Sequence, residues 1–245
     1  MSACRFDFSD AHVLVTGGSN GIGHAIAVAF REAGARVTVT GTRADGRYES
    51  DLDKMTYRAL EMRDKAAIAE LAASLARLDV LVNAAGTANP DGGSEHDPDV
   101  FEKTLAINLA GTFRVAQAVL PRLKESRGSV LNIASMTSYS AFAPVPGYGA
   151  SKAAIVQLTK TLAEAWAPFG IRVNALAPGW IRTKLTAPVE AAPGFGDRIL
   201  AHTPMKRWGE PEDLAGPALF LASPAAGFVT GQTLPVCGGF SVVMM

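Results

Sequence analysis

Residues 13–23 read VLVTGGSNGIG, and residues 24–34, HAIAVAFREAG, continue with helical spacing. An apolar strand therefore runs into a glycine-rich turn that opens a helix. Gly17, Gly21 and Gly23 permit a tight turn and a close backbone approach to a pyrophosphate, which would meet the free amides of the helix N-terminus. An ordinary strand–helix turn that happens to be rich in glycine is the alternative. The rest of the chain decides between them.

Working outward, short apolar strands alternate with helical patterns. The strands read HVLVTG (12–17), RVTVTG (36–41), MTYRAL (55–60), DVLVNA (79–84), SVLNIA (129–134), RVNALAP (172–178) and TLPVCG (233–238). Helical runs fall near 23–33, 64–77, 99–124, 148–168 and 211–222. This alternation predicts an α/β fold, a doubly wound parallel sheet with helices on both faces. The strands are nearly continuous apolar runs, as a sheet covered on both sides requires. One domain over 1–245 suits the length. The stretch 184–210, rich in Pro and Gly, reads as an irregular lid over a substrate site.

The chain is 48% hydrophobic and 19% charged, enough for a large core. Its 23 basic and 23 acidic residues cancel, so capture of nucleic acid is not expected. MSACRFDFSD lacks a basic region followed by an apolar run, and no apolar stretch approaches the ~18 residues of a membrane span. Cys4 and Cys237 lie near opposite ends of the sequence, which argues against a disulfide framework and for a reduced, cytoplasmic setting. The cluster DGGSEHDPD (91–99) holds Asp91, Glu95, His96 and Asp97 but lacks a calcium-loop spacing. It reads as a solvated loop, and no metal is expected.

Tyr148 and Lys152 stand four apart, with Ser135 thirteen residues before the tyrosine. Positions i and i+4 share a helix face, so the Lys152 ammonium can sit beside the Tyr148 oxygen and favour the tyrosinate. A phenol, with a reference pKa of about 10, then becomes a usable general acid/base. Ser135 can donate a hydrogen bond where charge develops on a carbonyl or alkoxide oxygen. In an open parallel sheet, ligands bind beyond the carboxyl ends of the strands. Gly17, Asn83, Ser135 and Pro178 each follow on a strand, so their segments converge on one edge.

Taken in order, these segments resemble the short-chain dehydrogenase/reductase family, in its shorter classical branch. The T-G-x-x-x-G-x-G turn is Thr16 to Gly23, and N-N-A-G appears as Asn83-Ala84-Ala85-Gly86. The mid-chain asparagine matches Asn108, the serine Ser135, the Y-x-x-x-K pair Tyr148 and Lys152, and the P-G segment PGWIRT, Pro178 to Thr183. Ala84 departs from the commonest form but leaves the first asparagine in place. The resemblance covers almost the whole chain. It implies a Rossmann-like fold, NAD(P), and a secondary alcohol and its ketone as substrates. By resemblance Asn108 bends its helix and holds a water that links Lys152 to solvent, so the two supply the proton path. Lys152 also bonds the nicotinamide ribose.

The resemblance places Ser19, Asn20, Gly21 and Ile22 at the phosphates. Glu61 and Met62 fall near the adenine, although a surface charge is the alternative for Glu61. Ala84, Ala85 and Gly86 form the wall, Asn83 steadies the sheet, and Pro178, Gly179, Ile181 and Thr183 hold the carboxamide. The end of the second strand, TVTGTRADG, bears Gly41 and Thr42 where an NAD-preferring member carries Asp, with Arg43 next. Arg43 can pair with a 2′-phosphate, which favours NADP over NAD. Against that, Ser19-Asn20 replaces a basic residue common in NADP-using members, and Asp45 stands close by.

Apolar AFAPVPG (141–147), Met136, Trp180 and much of 185–205 suggest a moderately hydrophobic pocket, unless they are ordinary core. Arg182, Lys184 and Arg198 can catch an anionic tail. The family usually forms homotetramers. The rival readings are a 3-oxoacyl-[acyl-carrier-protein] reductase, which shares every motif, and a non-catalytic nucleotide-sensing protein on the same fold. Members of the extended branch are longer than this chain.

Overall fold

The computed structural model describes residues 6–243; Cys4 and the opening MSACR lie outside them. Its seven strands are β1 (His12–Thr16), β2 (Arg36–Gly41), β3 (Thr56–Ala59), β4 (Val80–Asn83), β5 (Ser129–Ile133), β6 (Arg172–Pro178) and β7 (Thr233–Val236). They form one parallel sheet in the order β3-β2-β1-β4-β5-β6-β7, so the strand order reverses between β1 and β4. That reversal opens a crevice at the carboxyl edge.

Strand alternation divides the core into two layers. Val13, Val15, Val80 and Val82 pack on one face with Ile26, Phe30 and Leu221. Leu14 and Leu81 pack on the other with Val115, Val119 and Leu123. Register ties the centre together, with Val13 opposite both Val37 and Val80. The first face is covered by α1 (Gly21–Glu32) and α8 (Ala215–Ala222), the second by α2 (Lys65–Ser74), α4 (Thr112–Ser126) and α5 (Pro146–Trp166), while α3 (Pro98–Leu105) packs on α5. Asp64 caps α2 by accepting from the amides of Ala66 and Ala67 at 2.9 and 3.1 Å. Between α3 and α4, residues Ala106–Gly111 wind as a π-helix around Asn108. Such a bulge marks many functional sites.

The stretch 184–210 is more regular than its composition suggests. It contains α6 (Ala187–Glu190) and α7 (Phe195–His202), and Gly209 returns to pair with Ile181. Pro188 sits in the first turn of α6, and Gly194 precedes α7 with φ of 68°. The breakers therefore punctuate two helices. Among the described residues, no helix is long and apolar enough to cross a membrane.

Candidate active site

Two clefts open at the carboxyl edge, and Tyr148, Lys184 and Leu185 line both. The first, of about 550 Å³, runs over the turn after β1. Its floor is largely backbone. Gly17 has φ of +67°, and a Cβ there would lie 2.7 Å from the Ala85 Cα. A Cβ on Gly23 would collide with the Gly17 carbonyl oxygen. At Gly86 it would come within 3.4 Å of both Lys152 Nζ and Asn108 Oδ1. Three glycines thus keep open a trough bordered by the N-terminus of α1, where a dinucleotide pyrophosphate fits.

Lys152 is 5% exposed and its ammonium donates to the Ile133 carbonyl at 2.6 Å. Burial pulls its pKa down to about 8. The Nζ lies 5.5 Å from the centroid of the Tyr148 ring. Burial raises the Tyr148 phenol above its ordinary value; a hydrogen bond with Ser135 acts downward and the Glu95 charge upward. The expected pull of Lys152 on the phenol is not expressed in this arrangement, because the ammonium is spent on a carbonyl and is itself weakened by burial. Ser135 Oγ accepts the Thr137 amide at 3.2 Å, which leaves its proton to give.

Asn108, 1% exposed, acts as a clasp. Its Oδ1 accepts the Thr87 amide at 2.9 Å, and its Nδ2 donates to the Thr87 carbonyl and to Ser151 Oγ at 2.8 and 3.1 Å. Its amide is engaged at both ends in fixing the cleft wall.

Glu95 was missed as a site residue. Far from being part of a solvated loop, it is 1% exposed. Its Oε1 accepts from the Asn89 amide and Thr104 Oγ1 at 3.0 and 3.1 Å, and its Oε2 from the Tyr148 amide at 2.7 Å. The first amides of a helix lack internal partners, and α5 starts at Pro146, so this carboxylate caps the turn that carries Tyr148. The neighbouring acids have separate tasks: Asp91 pairs with Lys103, and Asp97 caps α3. An acidic residue in a short polar run gave no hint of burial.

The other predicted cofactor residues divide. Ser19, Asn20, Gly21, Ile22, Thr42, Glu61, Met62, Ala84, Ala85 and Thr183 all line the first cleft. Glu61 is held by Arg63 at 3.2 Å, and that pairing lowers its pKa. Asn83 turns away into the sheet, donating to Asn132 Oδ1 at 2.9 Å. Pro178 and Gly179 line the second cleft instead, while Ile181 is buried and lines neither. The Gly179 turn abuts Cys237: a Cβ on Gly179 would lie 2.8 Å from the Cys237 Cα. Arg43 does not line the cleft. Its guanidinium donates to the Arg47 carbonyl at 2.7 Å and stacks 5.0 Å over the Tyr48 ring.

Tyr48 takes the place expected of Arg43. A Cβ on Gly41 would collide with the Tyr48 hydroxyl and lie 2.6 Å from Ser19 Oγ. The Tyr57 hydroxyl donates to the Arg43 carbonyl at 2.6 Å, while the Tyr48 hydroxyl accepts the Arg43 amide at 2.9 Å. With the Tyr57 proton given to the Arg43 carbonyl, the Tyr48 hydroxyl donates to Tyr57 at 3.3 Å, a long contact it would exchange to donate into the cleft. Its loop is polar and irregular, so no periodicity pointed to it.

The second cleft, of about 690 Å³, starts at Ser135 and Tyr148 and passes between Phe142, Trp180 and Phe195. Its outer wall is α6 and α7.

Comparison with known proteins agrees with this geometry. A family model described as Enoyl-(Acyl carrier protein) reductase matches residues 17–241. The 2-dehydro-3-deoxy-D-gluconate 5-dehydrogenase of Bacillus subtilis (strain 168) is 36% identical over 244 residues, covering 96% of each chain. The chain belongs to the short-chain dehydrogenase/reductase family. The galactitol 2-dehydrogenase (L-tagatose-forming) of Cereibacter sphaeroides is also 36% identical, over 97% of each chain. A gluconate 5-dehydrogenase from Burkholderia cenocepacia J2315, solved in complex with NADP and tartrate, superposes with a TM-score of 0.89 at 33% identity, covering 98% of each chain. The family member described here is an NAD(P)-dependent oxidoreductase that interconverts a secondary alcohol and a ketone.

Proposed function

We propose that Tyr148 is the general acid/base of this reaction and that the chain prefers NADP(H). The observation that carries the first reading is the position of Tyr148, at the junction of the glycine-floored trough and the second cavity. When bound, the nicotinamide supplies or takes up the hydride. In the oxidising direction Tyr148 removes the hydroxyl proton as the carbonyl forms, and in reduction it returns it. Ser135 donates to the same oxygen and orients it. Lys152, held on the Ile133 carbonyl, reaches the ribose hydroxyls. Asn108 fixes Thr87 and the π turn from which the proton route to solvent departs. Gly17, Ser19, Asn20, Gly21, Ile22 and Gly23 cradle the phosphates.

The NADP reading is supported by the end of β2, where Gly41 and Thr42 offer no carboxylate and Arg43 stands one ring behind Tyr48. A 2′-phosphate would meet a hydroxyl donor backed by a cation. We also propose a cytoplasmic homotetramer, supported by the free thiol of Cys237 and by exposed Phe113 on α4 and Leu234 on β7. The helices of 184–210 act as a lid, and their amides should gain protection from hydrogen exchange when NADP and substrate are both present.

The test is oxidation of secondary alcohols followed by absorbance of the reduced nicotinamide, with NADP and NAD in parallel. Turnover with a higher kcat/KM for NADP supports the cofactor choice, and its loss in Tyr148→Phe supports the role of Tyr148. A preference for NAD overturns the cofactor choice, and no reduction of either nucleotide by any alcohol overturns the reaction.

A further inference from the structure

Galactitol and the gluconates, the compounds in the relatives' names, carry several hydroxyls each. Each buried hydroxyl needs a partner. Beyond its catalytic end the second cleft meets Asn89, Thr137, Ser140, Thr186 and His202, but Ser140 and Thr186 already donate to the Met136 and Ile181 carbonyls. Most of the lining surface is apolar, with Phe142, Val145, Trp180, Val189, Phe195 and Ile199 in its wall. The aromatic part is built from three segments that lock together. The Phe142 and Trp180 rings meet edge-on at 5.5 Å, Phe142 and Phe195 at 5.9 Å, and Trp180 and Phe195 at 6.2 Å. Trp208, 2% exposed, backs Trp180 at 5.6 Å. Such contacts fix the wall as a preformed apolar surface.

Two of the three cations nearby are paired with acids. Lys184 pairs with Glu49 at 2.8 Å, and Arg182 with Glu190 and Glu210 at 2.8 and 2.5 Å. Arg198 has no acidic partner among the described residues and lies over the Phe195 ring at 4.9 Å, which makes it part of the aromatic wall. A sugar acid or an anionic carrier protein would have to displace the partners of Lys184 and Arg182 or draw Arg198 off its ring.

We propose that the substrate is a free secondary alcohol, or its ketone, whose carbinol carbon bears a compact apolar body of one or two rings. The Phe142–Trp180–Phe195 wall holds the body, and the oxygen lies between Ser135 and Tyr148. Oxidation breaks the carbinol C–H and O–H bonds: the hydride passes to NADP, the proton to the Tyr148 phenolate, whose own proton has first gone to solvent, and the C–O bond becomes C=O. This rests on the reaction class proposed above.

The test is kcat/KM for 1-phenylethanol and 1-tetralol against galactitol, glucitol and gluconate, with saturating NADP. The ring alcohols should be favoured by at least about 100-fold, because the polyols leave buried hydroxyls unpaired. Equal or better use of a polyol or of gluconate overturns the substrate class while leaving the reaction intact. If nothing turns over, calorimetry with 1-tetralone on the NADP-saturated protein separates the two failures. Binding of the ketone but not of galactitol keeps the class and sinks the reaction; no binding of the ketone sinks the class. Phe142→Ala changes a loop residue and should raise KM for 1-phenylethanol about tenfold with kcat little altered. An unchanged KM overturns the role of the wall.

Discussion

The two clefts share Tyr148 but are made of different material. The cofactor trough is backbone: Gly17, Gly23 and Gly86 give up their side chains so that main chain, amides and a helix terminus form the surface. The substrate cavity is side chain, assembled from residues 142, 180 and 195 on three separate segments. A backbone surface binds what every member of the family binds. A side-chain surface can change without disturbing the sheet, so it is where the choice of substrate is made.

Tyr148→Phe breaks the comparison most sharply, because it touches the residue the clefts share. It keeps the ring and removes the transferable proton. Turnover should fall by about 10²–10⁴-fold, the usual contribution of general acid–base catalysis. NADP affinity, measured by fluorescence titration, should stay within a few-fold. Retention of half the activity would remove Tyr148 from the mechanism, and an equal loss of cofactor affinity would show that the clefts are not separable.

Glu95→Gln tests whether the buried carboxylate positions that residue. Its two oxygens serve three donors. A glutamine turns an NH₂ toward one of them, so one donor loses its acceptor at a cost of about 1–3 kcal/mol. We expect kcat to fall about tenfold while KM for NADP holds. A purely structural role would stop there. The Glu95 charge also raises the Tyr148 pKa, so its removal should move the rising limb of the oxidation pH profile to lower pH. A profile that stays in place at reduced kcat would confine Glu95 to holding the fold.

The contrast between backbone and side chain also accounts for what could be read in advance. The inner strands were legible because each is a largely apolar run bounded by a turn; the edge strands β3 and β7 are half exposed and were legible from the alternation around them, and Tyr148 and Lys152 because a helix brings i and i+4 together. Gly17 and Gly23 were legible because a trough of main chain demands them. Glu95 was not, since burial of an acid depends on donors from residues 89, 104 and 148. The helices of 184–210 were hidden by the prolines and glycines that delimit them. Arg43 was read as facing the ribose because it follows the strand, yet the loop returns Tyr48 to that spot. Asn83, read as steadying the sheet beside the cofactor, bonds Asn132 inside the sheet and lines neither cleft.

Tyr48→Phe sharpens the comparison within the trough, where a side chain rather than backbone meets the ligand. It removes one donor and keeps the ring under Arg43. NADP affinity should weaken about tenfold, the scale of one hydrogen bond to a charged group, and NAD affinity should barely change. Arg43→Ala should produce a smaller loss of the same sign. If Arg43→Ala costs more than Tyr48→Phe, the guanidinium itself reaches the phosphate.

The smallest effect expected is on stability, and it follows from the burial of Lys152. Its pKa is pulled down to about 8 in the folded chain, whereas an unfolded lysine titrates near 10.4. Between those values the unfolded chain binds more protons than the folded one, so folding stability rises with pH across the window. The cost of burying the ammonium is full below pH 8 and fades as the pH approaches 10.4. Lys152→Met abolishes this titration while keeping the length of the side chain. Urea denaturation without nucleotide at pH 7.5 and 9.5 should therefore show wild type gaining on the variant by on the order of 1 kcal/mol. A difference that is flat or of opposite sign would mean that Lys152 keeps its charge in the fold. Its bond to the Ile133 carbonyl would then be strong enough to offset the loss of water.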